Sequence, residues 1–141
     1  MTSTHDDPNR LRKLYHSKKS SARSNGVGFH FDDREDFVNW WQMQAAQCAY
    51  CETPISIIKN LIEHKRLHAR KVSGQGLRGL VLELDRKDPG GPYSKQNCAL
   101  ACYYCNNDKS YIYSAEAYLK YFGQNRKKHF EALAAELDLE A

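Results

Sequence analysis

The sequence predicts an α+β fold: a small strand–turn–strand–helix unit held between two cysteine pairs and flanked by helices. Three observations predict it. Cys48-Ala49-Tyr50-Cys51 and Cys102-Tyr103-Tyr104-Cys105 repeat one spacing far apart in the chain. Between them, Leu80-Val81-Leu82-Glu83-Leu84 and 97–101 are short β-compatible runs separated by the turn Asp88-Pro89-Gly90-Gly91-Pro92. Outside them, apolar residues recur at three- and four-residue intervals. At 141 residues the length suits one domain.

The elements follow in order. A basic helix is predicted over 8–24, with Leu11, Leu14 and Tyr15 on one side, broken by Ser24-Asn25-Gly26. A short extended piece, 27–31, precedes Asp32 and Asp33, which suit the N-cap of a helix over 34–47. Glu35 and Asp36 lie at its positive end, and Phe37, Trp40, Trp41 and Ala45 form its apolar stripe. Pro54 opens a helix over 55–67 with Ile58, Leu61 and Ile62 inward. The glycine-rich stretch 73–79 is a predicted loop. A helix starts near Cys105, and Ser114 caps a last helical region that Gly123 interrupts.

Hydrophobic residues are 41% and charged residues 27%, so the core is modest and a stabilising metal would help it. No apolar run is long enough to span a membrane. The start, Met1-Thr2-Ser3-Thr4-His5, lacks the apolar core of a secretion signal, and a cytoplasmic location is expected. Net charge is +4. Residues 1–30 carry six Lys/Arg against two acids, and residues 59–78 carry Lys59, Lys65, Arg66, Arg70, Lys71 and Arg78 against Glu63 alone. Two basic blocks suit a polyanion, although a solvated surface would explain the charge equally well.

Five cysteines in a chain without a secretion signal argue against a disulfide framework. A two-residue gap lets both sulfurs of a knuckle reach one ion, and two such knuckles supply four thiolates to a tetrahedral Zn²⁺. Cys48, Cys51, Cys102 and Cys105 are therefore expected to hold one structural zinc, closed to substrate. A redox dithiol is the competing reading, but the chain lacks the βαβ context for it. Cys98, alternating with Leu100, is expected to pack as an apolar residue.

The segment Leu82-Glu83-Leu84-Asp85-Arg86, then Gly91-Pro92-Tyr93, then Asn97-Cys98, then Cys102-Tyr103-Tyr104-Cys105-Asn106-Asn107-Asp108-Lys109, resembles the HNH (ββα-metal) endonuclease superfamily. It is similar to the branch that includes rare-cutting restriction enzymes, closely over 82–110 and more loosely over 48–122. The resemblance implies a ββα-metal module with one divalent ion, Mg²⁺ or Mn²⁺, held against the scissile phosphate of DNA. It places Asp85 and Asn106 as ligands to that ion, and both offer hard oxygen donors. It assigns Asn97 to bracing the turn, and Arg86 and Tyr93 to flanking the phosphate. Lys109, one turn past Asn106, could meet a phosphate.

The commonest family pattern has His where Arg86 stands. An arginine cannot act as a base near neutral pH, so Arg86 reads as a phosphate clamp. Tyr93 could orient the attacking water or, deprotonated, activate it; His30, His64 or His68 could supply a base from outside the motif. His64 and His68, at i and i+4 among Lys65, Arg66 and Arg70, read better as a phosphate-facing or solvated helix face than as a metal pair.

The sequence thus divides into a basic arm and helix (1–47), a zinc-stapled ββα-metal module (48–122) and a C-terminal helical extension (123–141). The expected function is a DNA endonuclease, with Lys65, Arg66, Arg70, Lys71, Arg78 and Lys109 on nucleic acid, as a monomer or a homodimer. The alternative is a non-catalytic zinc-binding nucleic-acid module. Asp85 and Asn106 separate the two, because a binding module has no need of them.

Overall fold

The computed structural model describes residues 6–72 and 76–140. Helix α1 (Pro8–Ser24) starts where Pro8 supplies a pre-set first helical residue and the Asp7 side chain accepts from the Asn9 N–H. Leu11, Tyr15 and Ala22 are buried on the side that packs along α2 (Arg34–Met43). Asp33 caps α2 by accepting from the Asp36 N–H at 2.8 Å. Phe37, Val38 and Trp41 are its buried face. Full burial of such a side chain stabilises by about 1.5–3 kcal/mol.

Two helices end earlier than their periodicity predicts. Helix α2 stops at Met43 rather than 47, because Gln44 turns extended and Gln47 pairs antiparallel with Pro54. That bridge carries the chain straight into the first cysteine knuckle and leaves Ala45 exposed. Helix α3 (Ile55–Glu63) buries Ile58, Leu61 and Ile62 as expected but stops short of 67. Lys65 adopts a left-handed conformation (φ 58°), its N–H donates to the Ile62 carbonyl, and the Arg66 N–H donates to the Leu61 carbonyl. This is a Schellman ending with lysine where glycine is usual, so the composition does not announce it.

Strands β1 (Lys71–Val72) and β2 (Gly76–Leu77) pair antiparallel, so part of the stretch 73–79 predicted as loop is a short strand. Strands β3 (Glu83–Arg86) and β4 (Cys98–Ala101) form the second antiparallel pair, with Asp85 opposite Ala99 and Arg86 opposite Cys98. The apolar run from Leu80 predicts an earlier strand start. Pairing begins at Glu83 because β4 supplies partners only from Ala101 back to Cys98. Helix α4 (Tyr103–Lys109) follows β4 at once, and its N-cap is Cys102, whose sulfur accepts from the Cys105 N–H.

The last region is α5 (Ala115–Tyr118), a π-helical turn over Leu119–Gly123, and α6 (Gln124–Glu140). Gly123 therefore widens the helix without ending it. A Cβ at Gly123 would lie 2.7 Å from the Tyr50 carbonyl oxygen, so only glycine lets this turn press on the first knuckle.

The piece at 27–31 is extended, as predicted, and joins the second half of the chain. Phe29 bridges Tyr93 in parallel: the Tyr93 N–H donates to the Gly28 carbonyl at 2.9 Å, and the His30 N–H donates to the Tyr93 carbonyl at 2.7 Å. Their rings meet at 5.8 Å between centroids. One core runs from Leu11, Tyr15 and Phe37 through the cysteines to Leu84, Leu100 and Phe130. The arm at 1–47 is thus packed into the module over its described residues. Among the described residues, no helix is long and apolar enough to cross a membrane.

Candidate active site

Two knuckles close on one point. The ligand atoms of Cys48, Cys51, Cys102 and Cys105 all lie within 4.8 Å of one another, and all four residues are buried. Cys51 Sγ and Cys102 Sγ are 4.0 Å apart. A tetrahedral zinc with sulfur arms of about 2.3 Å holds its sulfurs about 3.8 Å apart, so the four thiols fit such an ion. Cys98 stays outside the cluster; burial pushes its thiol up to about 11, which keeps it an unreactive apolar neighbour.

The cluster is joined directly to the carboxylate of β3. Tyr50, between the first two cysteines, donates its hydroxyl to Asp85 Oδ2 at 2.5 Å. Asp85 is only 6% exposed. Lys109, at 0% exposed, approaches Asp85 Oδ2 at 3.2 Å and donates to the Arg86 carbonyl at 2.7 Å. Burial raises the Asp85 pKa, and Tyr50 and Lys109 pull against it. Asn106 and Lys109 lie three residues apart on α4 and reach Glu83 and Asp85, two apart on β3. Helix and strand periodicities coincide over this patch. Asn106 Nδ2 donates to Glu83 Oε1 at 2.9 Å, and its amide oxygen accepts no hydrogen bond among the described residues.

The β3–β4 turn holds the other expected residues. Asn97 spans it: its Oδ1 accepts from the Asp88 N–H at 3.0 Å, and its Nδ2 donates to the carbonyls of Asp88 and Pro92. A Cβ at Gly91 would lie 2.7 Å from Asn97 Nδ2, so the brace requires glycine there. Arg86 donates to the Gly91 carbonyl at 2.9 Å, and its guanidinium stands 5.0 Å from the Tyr93 ring centroid. Asp85, Arg86, Tyr93 and Asn106 line one open cleft of about 180 Å³ with Lys18, Leu84, Pro89, Ser110 and Tyr111. Asp85 and Asn106 thus present hard oxygen donors in one place, a donor set that fits Mg²⁺ or Mn²⁺.

The fold does not offer all six expected cations to a polyanion. Lys109 is turned inward, because α4 packs on β3 and the buried Asp85 needs a counter-charge. This corrects its expected place on phosphate. Arg78 pairs with Glu83 at 2.7 Å and stacks 4.4 Å from the Tyr103 ring centroid, and Arg66 pairs with Glu140. Lys65, Arg70 and Lys71 are exposed and form no ion pair among the described residues. His64 and His68 do not share a helix face, since α3 ends at Glu63. Of the three histidines, His30 is the one the fold pairs with the Tyr93 segment.

Sequence reasoning missed Tyr50, Glu83 and Lys18. Tyr50 could have been suspected from its place inside a knuckle; Glu83 sits two residues before Asp85, on the same strand face. Lys18 carries no local signal beyond falling in line with the apolar stripe of α1.

The comparisons agree with this geometry. Residues 84–111 match the family described as HNH endonuclease. Among solved structures, the chain is similar to the rare-cutting HNH restriction endonuclease PacI, reported with an extraordinary mechanism of DNA perturbation. Identity is 25%, the likeness covers 86% of this chain and 80% of that one, and the TM-score is 0.66. No curated protein matches the chain. Residues 84–111 thus carry the pattern of an HNH endonuclease domain, on a fold similar to that of an HNH restriction endonuclease, and the chain is a nuclease.

Proposed function

We propose that this nuclease hydrolyses phosphodiester bonds of DNA with one Mg²⁺ or Mn²⁺ ion, on a scaffold stapled by zinc. The observation that carries the reading is the shared cleft of Asp85, Arg86, Tyr93 and Asn106. Asp85 and Asn106 would hold the divalent ion; when bound, it supplies positive charge to the scissile phosphate and the leaving 3′ oxygen. The four cysteines would hold the zinc, which has a closed ligand set and serves the fold.

The chain's own groups do the rest. Lys109 and Tyr50 hold the buried Asp85 carboxylate in one orientation. Arg86, fixed by Gly91 and Tyr93, offers donors to the non-bridging phosphate oxygens as their charge grows. The Tyr93 hydroxyl orients the attacking water or, as the phenolate, takes its proton. Water oxygen bonds to phosphorus as the P–O3′ bond breaks, and the leaving oxygen takes up a proton. Asn97 keeps Arg86 and Tyr93 in register by closing the turn between them.

The test is incubation of the full chain with supercoiled plasmid and Mg²⁺ or Mn²⁺, with a chelator control, followed by sequencing of product ends. Metal-dependent nicking or linearisation with 5′-phosphate ends is expected. DNA binding without any cleavage would overturn this reading in favour of a zinc-bearing binding module.

A further inference from the structure

Lys18 stands where helix patterning calls for an apolar residue. On α1 the buried positions are Leu11, Tyr15 and Ala22, and position 18 falls between Tyr15 and Ala22 at helical spacing. The side chain is half-buried, and its ammonium has no hydrogen-bond or ion-pair partner among the described residues. Its neighbours on the helix differ: Arg10 pairs with Asp6, and Arg12 with Glu35. Lys18 lines two adjoining chambers. One is the cleft of Asp85, Arg86, Tyr93 and Asn106. The other, of about 310 Å³, is lined by Arg10, Arg78 and Glu83 among others. Leu84 and Asn106 are the other residues common to both.

A cation desolvated without a counter-charge is costly unless a ligand brings an anion. Burial lowers the Lys18 pKa first, and the charges of Arg78 and Arg86 lower it further, against Glu83. The ligand already read into this cleft is a phosphodiester. We infer that Lys18 is a further catalytic residue, an ammonium from the N-terminal helix that contacts the scissile phosphate beside Arg86. It transfers no proton in this role; its charge is held against the non-bridging oxygens while the water attacks. Helix α1 then forms a wall of the active site. The inference rests on the nuclease reading, and residue 18 lies far outside the matched segment 84–111.

The test uses the full zinc-loaded chain and the variants Lys18→Met, Lys18→Arg and Asp85→Asn. Single-turnover plasmid cleavage and DNA affinity are measured separately. Lys18→Met should slow cleavage by about 100-fold, as loss of one positioned charge donor does. Its affinity for DNA should change by less than about tenfold, because other phosphate contacts supply most of the binding. Lys18→Arg should recover part of the rate. A second arm needs no activity: acylation of wild-type Lys18 without divalent metal, read by mass spectrometry, should be blocked by excess duplex DNA while exposed Lys19 still reacts. Wild-type-rate cleavage by Lys18→Met, a loss confined to affinity, or an unprotected Lys18 would each overturn the inference. The nuclease reading would survive those results if the wild type cuts and Asp85→Asn does not. If the wild type cuts nothing, that reading fails, and the labelling arm alone decides whether Lys18 meets phosphate.

Discussion

Tyr50 lies between two cysteines of the metal-type cluster and donates its hydroxyl to Asp85 at 2.5 Å, so the structural centre and the candidate catalytic carboxylate share one hydrogen bond. Burial and the Asp85 charge push the Tyr50 phenol far up, so it remains a donor at every working pH. Tyr50→Phe should cost about 1.5–3 kcal/mol of stability, as loss of a hydrogen bond to a charged group does. Lys109→Met should cost roughly 3 kcal/mol or more, since it strands a buried carboxylate. Both partners pull the Asp85 pKa down against burial. Either change should therefore move the acid limb of the cleavage profile to higher pH. The sign for folding follows from the same raised value. In the chain free of divalent ion, Asp85 favours the proton when folded, so stability falls as pH rises from the ordinary carboxylate range through its own pKa. Thermal unfolding against pH should show a steeper fall in both variants.

Zinc should be present at one ion per chain by elemental analysis. Cys→Ser at Cys48, Cys51, Cys102 or Cys105 should lose soluble folded protein, because metal-binding energy is folding energy here. Cys98→Ser should be much milder, since its sulfur lies outside the cluster. A folded, active preparation without zinc would sink the staple.

Asn106→Ala and Asp85→Asn should each abolish cleavage while leaving zinc content and DNA binding in place. Asp85→Asn is the cleaner variant, because it keeps the shape and an oxygen acceptor for Tyr50 and Lys109, which Asp85→Ala would also remove. Cleavage by Asp85→Asn at the wild-type rate would remove Asp85 as a metal ligand.

Arg86→Ala should slow cleavage by at least about a hundredfold, and Arg86→Lys should recover little, because an ammonium cannot both hold the Gly91 carbonyl and present a planar fork. Tyr93→Phe keeps the ring packing against Phe29 and Arg86 and removes only the hydroxyl. It should nearly silence the enzyme if that hydroxyl handles the water. Full activity in Tyr93→Phe would pass the role to His30, whose backbone is bonded to Tyr93.

DNA affinity should fall steeply with salt, and the loss should be uneven across the basic block. Arg70→Ala and Lys71→Ala should each lower the salt slope by about one, as lost phosphate contacts do. Arg66→Ala and Arg78→Ala should lower it less, because their charges are engaged by Glu140 and Glu83. A slope unchanged by Arg70→Ala and Lys71→Ala together would move the DNA contact away from this block.

Features set by near neighbours were readable from the chain alone. The two knuckles and the extent of α1 depend on spacings of a few residues, and spacing is a property of sequence, whereas the turn role of Asn97 came only from the resemblance. The order strand, turn, strand, helix around Asp85 belongs to the same class. What tertiary structure decided was which charged groups face inward. Lys109 looked like a phosphate contact by its charge and its place after Asn106, yet α4 packs on β3 and Asp85 is buried, so Lys109 is drawn to the carboxylate. The Tyr50 bond to Asp85 and the placing of Lys18 in the cleft arise in the same way. Each joins residues far apart in the chain, and the cost of burying a charge is known only once the walls around it have met.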